Sequence, residues 1–205
     1  MPRRPDMPPL SRSILAEDPI EQFADWFARA QEEAPLPDAM CLATTDADGA
    51  PDARMVLLKG FDAEGIRFFT NYESAKARHL EGAGHAAVIV YWRELDRQVR
   101  ARGPIERVPQ AASDEYFATR PRDSQLGAWA SPQSEPIASR DDLDRLVGEI
   151  DERFADADVP RPEHWGGYLL RPQTVEFWQG QVGRLHDRFR YTREGEGWRI
   201  ERLAP

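Results

Sequence analysis

Met40-Cys41-Leu42-Ala43-Thr44-Thr45, Asp46-Ala47-Asp48-Gly49, Ala53-Arg54-Met55-Val56-Leu57-Leu58-Lys59, Asp62-Ala63-Glu64-Gly65 and Ile66-Arg67-Phe68-Phe69-Thr70 follow one another in the first third of the chain. Short apolar runs broken by Asp/Gly turns at this spacing predict an antiparallel meander. Downstream, Ser74–Glu81 reads as a short helix ended by Gly82-Ala83-Gly84. Ala86–Trp92 and Arg97–Val108 make a long hairpin. Helical patterns return at Ala111–Thr119 and at Arg140–Phe154, the latter capped by Ser139. Strands follow near Gly167–Leu170, Thr174–Trp178, Arg184–Tyr191 and Trp198–Arg202. Upstream, Asp18 caps a helix with Pro19 at its first position and Glu21 three residues after the cap. Phe23, Trp26, Phe27 and Ala30 lie at helical spacing and mark its buried face. Residues 1–17, rich in proline and charge, read as a flexible N-terminal arm, and residues 18–205 as a single domain. Strands outnumber helices and no βαβ alternation or repeat is present. The expected class is mainly β with peripheral helices (α+β), a closed antiparallel β-barrel.

At 205 residues the chain is large enough for one domain with a real core. A net charge of −9 argues against nucleic acid or an anionic membrane as partner. Any anion site must then be a local basic pocket on an acidic protein. The single cysteine, Cys41, excludes an internal disulfide and reads as a small buried filler. His79, His85, His164 and His186 show no metal-ligand spacing, so no metal site is expected. No apolar run approaches the length of a membrane span. The Met-Pro-Arg-Arg start lacks the apolar core of a signal peptide, and a cytoplasmic location follows as the default. There is no glycine-rich dinucleotide loop, so a nucleotide cofactor would be held by side chains on strands.

Three clusters carry the chemistry. Glu176-Phe177-Trp178-Gln179-Gly180 precedes Arg184-Leu185-His186-Asp187-Arg188. As extended backbone, the second run projects Arg184, His186 and Arg188 from one face and Leu185 and Asp187 from the other. Like charges repel across such a face. It is either paired with acidic neighbours or suited to an anion, because the guanidinium fork matches phosphate and carboxylate. In Arg120-Pro121-Arg122-Asp123-Ser124-Gln125-Leu126-Gly127-Ala128-Trp129, Arg120 lies four residues after Tyr116 and shares its helix face. Ser124 lies one turn on if the helix continues past Pro121. A phenol, a guanidinium and a hydroxyl converging make a phosphate site. Third, Arg54 and Lys59 bracket an apolar strand, which cations rarely do without a partner. Their odd separation places them on opposite faces. Each cluster alone reads equally well as an edge strand or a surface helix; together they point to an anion pocket.

With these motifs in this order, and an Arg202-Leu203-Ala204-Pro205 terminus, the chain resembles the pyridoxamine (pyridoxine) 5′-phosphate oxidase family from Asp18 to Pro205. The resemblance implies a split β-barrel homodimer with FMN in a groove at the subunit interface. It implies oxidation of pyridoxine and pyridoxamine 5′-phosphate to pyridoxal 5′-phosphate with O2, releasing H2O2 and, from the amine, ammonia. It assigns Arg54 and Lys76 to the FMN phosphate. Met55, Val56, Leu57, Leu58, Lys59, Phe69, Thr70, Gln98, Trp178 and Arg188 join them around the flavin. Gln133 and Ser134 reach the flavin from the partner subunit. Lys59, Tyr116, Arg120 and Ser124 would hold the substrate phosphate, so that Arg54 and Lys59 serve mainly different phosphates. Arg184, Leu185 and His186 would bind the pyridine ring, with Arg184 and His186 as the catalytic pair and His186 orienting or relaying a proton.

The chain departs from the family pattern at three places. Ala75 stands where relatives often carry arginine, and Arg78, on the same helix face, is expected to compensate in part. Gln181-Val182-Gly183 is unusual, and the arm lacks the tyrosine and basic cluster that some relatives fold over the substrate. Competing readings are a same-fold flavin oxidase on another ring, of phenazine-pathway type, a non-catalytic FMN-binding protein, and an acidic interaction domain without cofactor. The first has little use for a phosphate clamp, and the second none for Arg184 and His186.

Overall fold

The ladder begins with β1 (Ala39–Thr45), flanked by β2 (Pro51–Leu57) and β5 (His85–Trp92). A computed structural model of the chain describes residues 8–155 and 157–205. The other strands are β3 (Gly60–Asp62), β4 (Gly65–Asn71), β6 (Arg97–Arg107), β7 (Trp165–Leu170), β8 (Thr174–Gln179), β9 (Asp187–Glu194) and β10 (Gly197–Leu203). All pair antiparallel, in the order β10-β9-β8-β6-β5-β1-β2, with β3-β4-β7 branching from β6. The class is mainly β with helices at the periphery, as the turn spacing predicts.

The branch point lies inside β6. Its first half, Arg97–Arg102, pairs with β8, and Ile105–Arg107 pairs with β7. Gly103 stands between, and a Cβ there would meet the Arg171 carbonyl oxygen at 1.9 Å. From β6 the sheet curls through β7 and β4 to β3. β2 runs into β3 through Leu58 and Lys59, and the Lys59 amide donates to Arg67 O. The barrel is thus split between β2 and β4, which share no ladder among the described residues.

The helices follow from their caps and apolar faces. Asp18 Oδ1 accepts from the Ile20 amide at 2.6 Å and starts α1 (Pro19–Glu33). Its Phe23 and Trp26 are buried against Phe61, Trp92 and Phe177. Burial contributes roughly 1.5–3 kcal/mol per large side chain. α2 (Ala75–Ala83) ends at left-handed Gly84, φ 66°. α5 (Arg140–Arg153) is capped by Ser139, whose Oγ accepts from the Asp142 amide. α3 (Gln110–Ala118) stops short of Pro121, and a separate helix, α4 (Arg122–Ala130), starts there. A helix continuing through Pro121 is therefore not formed, because proline lacks the donor and disfavours helical backbone before it.

Two further differences from the sequence reading matter for the site. β9 starts at Asp187, so Arg184–His186 lie outside the strand. The arm, where described, is docked: Leu10 and Leu15 are buried, Gln179 Nε2 donates to Pro8 O, and Tyr191 OH donates to Ala16 O. Residues 1–7 of the expected arm lie outside the described residues. No helix among the described residues is long and apolar enough to cross a membrane.

Candidate active site

Arg54 projects from β2 on the side of its partner Leu42, which is fully buried. Its Nη1 donates to Leu42 O and, at 2.7 Å, to Thr44 Oγ1; Nη2 pairs with the exposed Asp52 carboxylate. Lys76 lies in the first turn of α2, close enough for the charge of Arg54 to act on it. Burial, and then the charge of Arg54, push the Lys76 ammonium below its ordinary pKa. Lys76 Nζ donates to Gln133 Oε1 at 2.8 Å, and Thr70 Oγ1 donates to the same oxygen at 3.1 Å. Two crowded cations of this kind favour an anion.

Gln133 also lines a neighbouring cavity of about 240 Å³ with Arg120, Ser124, Asn71 and Trp165. Phe69 stacks on Tyr116 at 4.1 Å and on Trp165 at 5.5 Å, and the Arg120 guanidinium lies 4.5 Å over Trp165. Gly167 on β7 makes room for this stack: a Cβ there would sit 2.7 Å from the Phe69 ring. Burial pushes the Arg120 pKa down, and its buried Nη1 has no hydrogen-bond partner among the described residues. An unmet buried donor costs free energy, which an anionic ligand would recover.

A third group lies on the other face of the same sheet. Gln98 pairs with Trp178, and Trp178 with Arg188, across β6, β8 and β9. Their chain neighbours Val99, Phe177 and Phe189 are buried in the core, so these three point outward. Met55 and Leu57 on edge strand β2 share that outward face and are 63% and 47% exposed. Arg188 Nε donates to Glu176 Oε1 at 2.9 Å, and Arg100 pairs with the other carboxylate oxygen. Burial alone would raise the Glu176 pKa, but hydrogen bonds from Arg188 and Arg100 outweigh it and hold the carboxyl low. The His186 ring lies 4.6 Å from that of Trp178.

Residues 27–153 match the family model for pyridoxamine 5′-phosphate oxidase, and residues 165–205 match the pyridoxine 5′-phosphate oxidase C-terminal dimerisation region. The chain belongs to the pyridoxamine 5′-phosphate oxidase family. It is 53% identical to the pyridoxine/pyridoxamine 5′-phosphate oxidase of Rubrobacter xylanophilus, over 95% of this chain and 93% of that one. It is 52% identical to the Salinibacter ruber oxidase of the same name, over 96% and 93%. Among solved structures it is similar to PhzG from Burkholderia lata 383, in complex with tetrahydrophenazine-1-carboxylic acid. That similarity has a TM-score of 0.88 at 30% identity and covers 94% of this chain and 95% of the other.

Within this oxidase fold several expected site residues sit differently from the motif reading. Leu58 is buried in the barrel core, so its side chain is not a surface for a cofactor. Lys59 Nζ is held by Asp38 at 2.9 Å, and no contact among the described residues joins it to Tyr116, Arg120 or Ser124. Ser124 sits on α4, a different helix from Tyr116, yet shares the cavity with Arg120. Gln133 meets Thr70 and Lys76 of its own chain and needs no partner to do so; Ser134 follows at φ 78° in an exposed turn. Arg78 donates to Glu73 O and, at 3.3 Å, to Glu135 Oε1. His79, also on α2, is linked to Arg54 through Thr44 Oγ1, which lies 3.1 Å from its Nδ1. Arg184, His186 and Arg188 do not share a strand face. Gly183 and Arg184 adopt successive left-handed conformations, φ 69° and 63°, which turn the chain before β9 begins. Arg184 has no hydrogen-bond or ion-pair partner among the described residues, and Leu185 is 72% exposed. Gln179 and Gly180 belong to a quoted motif but carry no role in the sequence reading. Gln179 is buried between Pro8 O and Arg97 Nε, and a Cβ at Gly180 would strike the Asp96 carboxylate.

Proposed function

We propose that the chain is an FMN-dependent oxidase converting pyridoxine and pyridoxamine 5′-phosphate to pyridoxal 5′-phosphate, working as a homodimer with FMN at the subunit interface and O2 as acceptor. The observation that carries this reading is the division of the flavin-family residues between two faces of one sheet. Arg54, Lys76, Thr70 and Gln133 cluster on one side; Gln98, Trp178 and Arg188 point out of the other. A single ligand can use both sets only if a second copy supplies one of them. The exposed apolar edge of β2 and the dimerisation-region match at residues 165–205 support the same arrangement.

The residues fit the cofactor. Arg54 and Lys76 offer a phosphate two cations that otherwise repel, and the unpartnered Arg120 Nη1 with Ser124 offers a second phosphate its own pocket. FMN, when bound, supplies the hydride-accepting ring and the route to O2. The chain's share is positioning. Arg120 and Ser124 hold the substrate phosphate, Tyr116 and Phe69 wall the pocket, and Arg184 and His186 orient the pyridine ring. PhzG is the structural neighbour nearest to the rival reading, but a phosphate-free ring leaves the Arg120 pocket without a function. A single unpaired thiol, Cys41, is in keeping with a cytoplasmic location.

The test is an absorbance spectrum of the purified protein. Pyridoxine 5′-phosphate added without oxygen should bleach the flavin band, and air should restore it. A colourless protein that FMN cannot reconstitute would sink the reading. Arg184→Ala should slow the bleaching with FMN content near that of the parent, whereas Arg188→Ala should lower FMN retention first. If both variants lose only FMN and are reduced normally once saturated, the division of roles is wrong.

A further inference from the structure

We propose that Asp187 is a positioning residue that holds Arg184 and His186 in place by tying their loop to both ends of the chain. The inference rests on the oxidase reading and deepens it. Asp187 is the first residue of β9, directly after His186, and is 7% exposed. Its Oδ2 accepts from the Leu10 amide at 3.0 Å and from Gln181 Nε2 at 2.7 Å. Its Oδ1 accepts from Arg202 Nη1 at 2.6 Å, and Arg202 Nη2 closes the circuit on Leu10 O at 2.6 Å. One carboxylate thus joins the N-terminal segment, the last strand and the site loop.

Gln181 carries that tie to the histidine. Its side chain is held by Asp187, and its backbone amide donates to His186 Nδ1 at 3.1 Å. An accepting Nδ1 places the ring proton on Nε2, leaving an N–H donor on the far side of the ring. Between Gln181 and His186 the loop has little else to hold it. Val182 and Leu185 are 67% and 72% exposed, so apolar burial does not anchor it. The left-handed Gly183-Arg184 pair is a sparsely populated conformation for an arginine, which persists only where surrounding contacts impose it. The polar ties through Asp187 are those contacts.

Two substitutions separate positioning from a merely structural role. Asp187→Asn breaks the charge pairing with Arg202 and unbalances all three ties. Gln181→Met removes only the side-chain donor of the loop and leaves the Leu10 and Arg202 ties intact. The readouts are FMN affinity by fluorescence titration, anaerobic flavin reduction by pyridoxine 5′-phosphate, and the His186 tautomer by nitrogen NMR of histidine-labelled protein. Both variants should bind FMN within about twofold of the parent and be reduced about tenfold more slowly at low substrate. Their His186 ring should lose the single Nε2–H signature in favour of averaged tautomers. Only Asp187→Asn should lower the melting temperature. If Asp187→Asn does not fold, Gln181→Met alone decides. Parental reduction and a parental tautomer in Gln181→Met overturn the positioning role. A parent that pyridoxine 5′-phosphate does not reduce overturns the oxidase reading instead, and the role of Asp187 toward substrate falls with it.

Discussion

Arg120→Met is expected to weaken binding of pyridoxine 5′-phosphate by about a hundredfold, because a half-buried cation meeting a phosphate makes strong charge-assisted hydrogen bonds. FMN affinity should stay near the parental value, since Arg54 and Lys76 lie at the other end of the Gln133 bridge. The same change should stabilise the protein without ligands. Among the described residues Arg120 Nη1 is buried with no hydrogen-bond partner, and its guanidinium stacks over Trp165 and Phe117. Methionine keeps much of that packing and removes the orphan donor. A net gain of about 1 kcal/mol corresponds to a rise in melting temperature of roughly 2–4 °C for a chain of this size. Substrate titration and calorimetry on the same preparation check both halves. Parental substrate affinity would remove Arg120 from the phosphate site, and a lower melting temperature would show that the stack outweighs the missing hydrogen bond. Opposite signs for stability and affinity are the pattern expected of a functional residue.

Gly103→Ala is expected to destabilise the fold by about 4 kcal/mol, lowering the melting temperature by roughly 8–16 °C. The added Cβ would lie 1.9 Å from the Arg171 carbonyl oxygen and 3.0 Å from the Gln173 amide. Both are backbone atoms, so no rotamer change relieves the clash. One strand would have to move where β6 passes from β8 to β7. Gly82→Ala serves as the control, because a Cβ there meets nothing within 4 Å. Thermal unfolding of the two variants compares them directly. Similar melting temperatures would mean that the Arg171–Gln173 turn yields easily and that Gly103 does not define the split.

Much of the architecture was legible because its signals are local. Most strands announce themselves by apolar runs between Asp/Gly turns, and α1 and α5 by Asp18 and Ser139 at their caps. β3 escaped notice because three residues carry no periodicity. Helical spacing on both sides of Pro121 leaves open a continuous helix, and the structure divides it into α3 and α4. Arg184–Arg188 was misjudged for a related reason. Alternation of polar and apolar residues is necessary for a half-buried strand but not sufficient, and the left-handed Gly183 and Arg184 end the extended backbone.

The site divides along the same line. Residue types and motif order alone named the candidate phosphate cations and the oxidase family, because chemistry demands particular side chains and spacing records them; the Phe69–Tyr116–Trp165 stack emerged only in three dimensions. Which of those side chains meet was decided by tertiary structure. The ladder register turns Arg54 to one face of the sheet and Trp178 and Arg188 to the other. Asp38, just before β1, captures Lys59, just after β2. Leu10 reaches Asp187 over 177 residues, converting an arm that composition marks as flexible into a support for the site loop. Contacts at such separation arise only once the sheet has brought its ends together, and no local pattern in the chain encodes them.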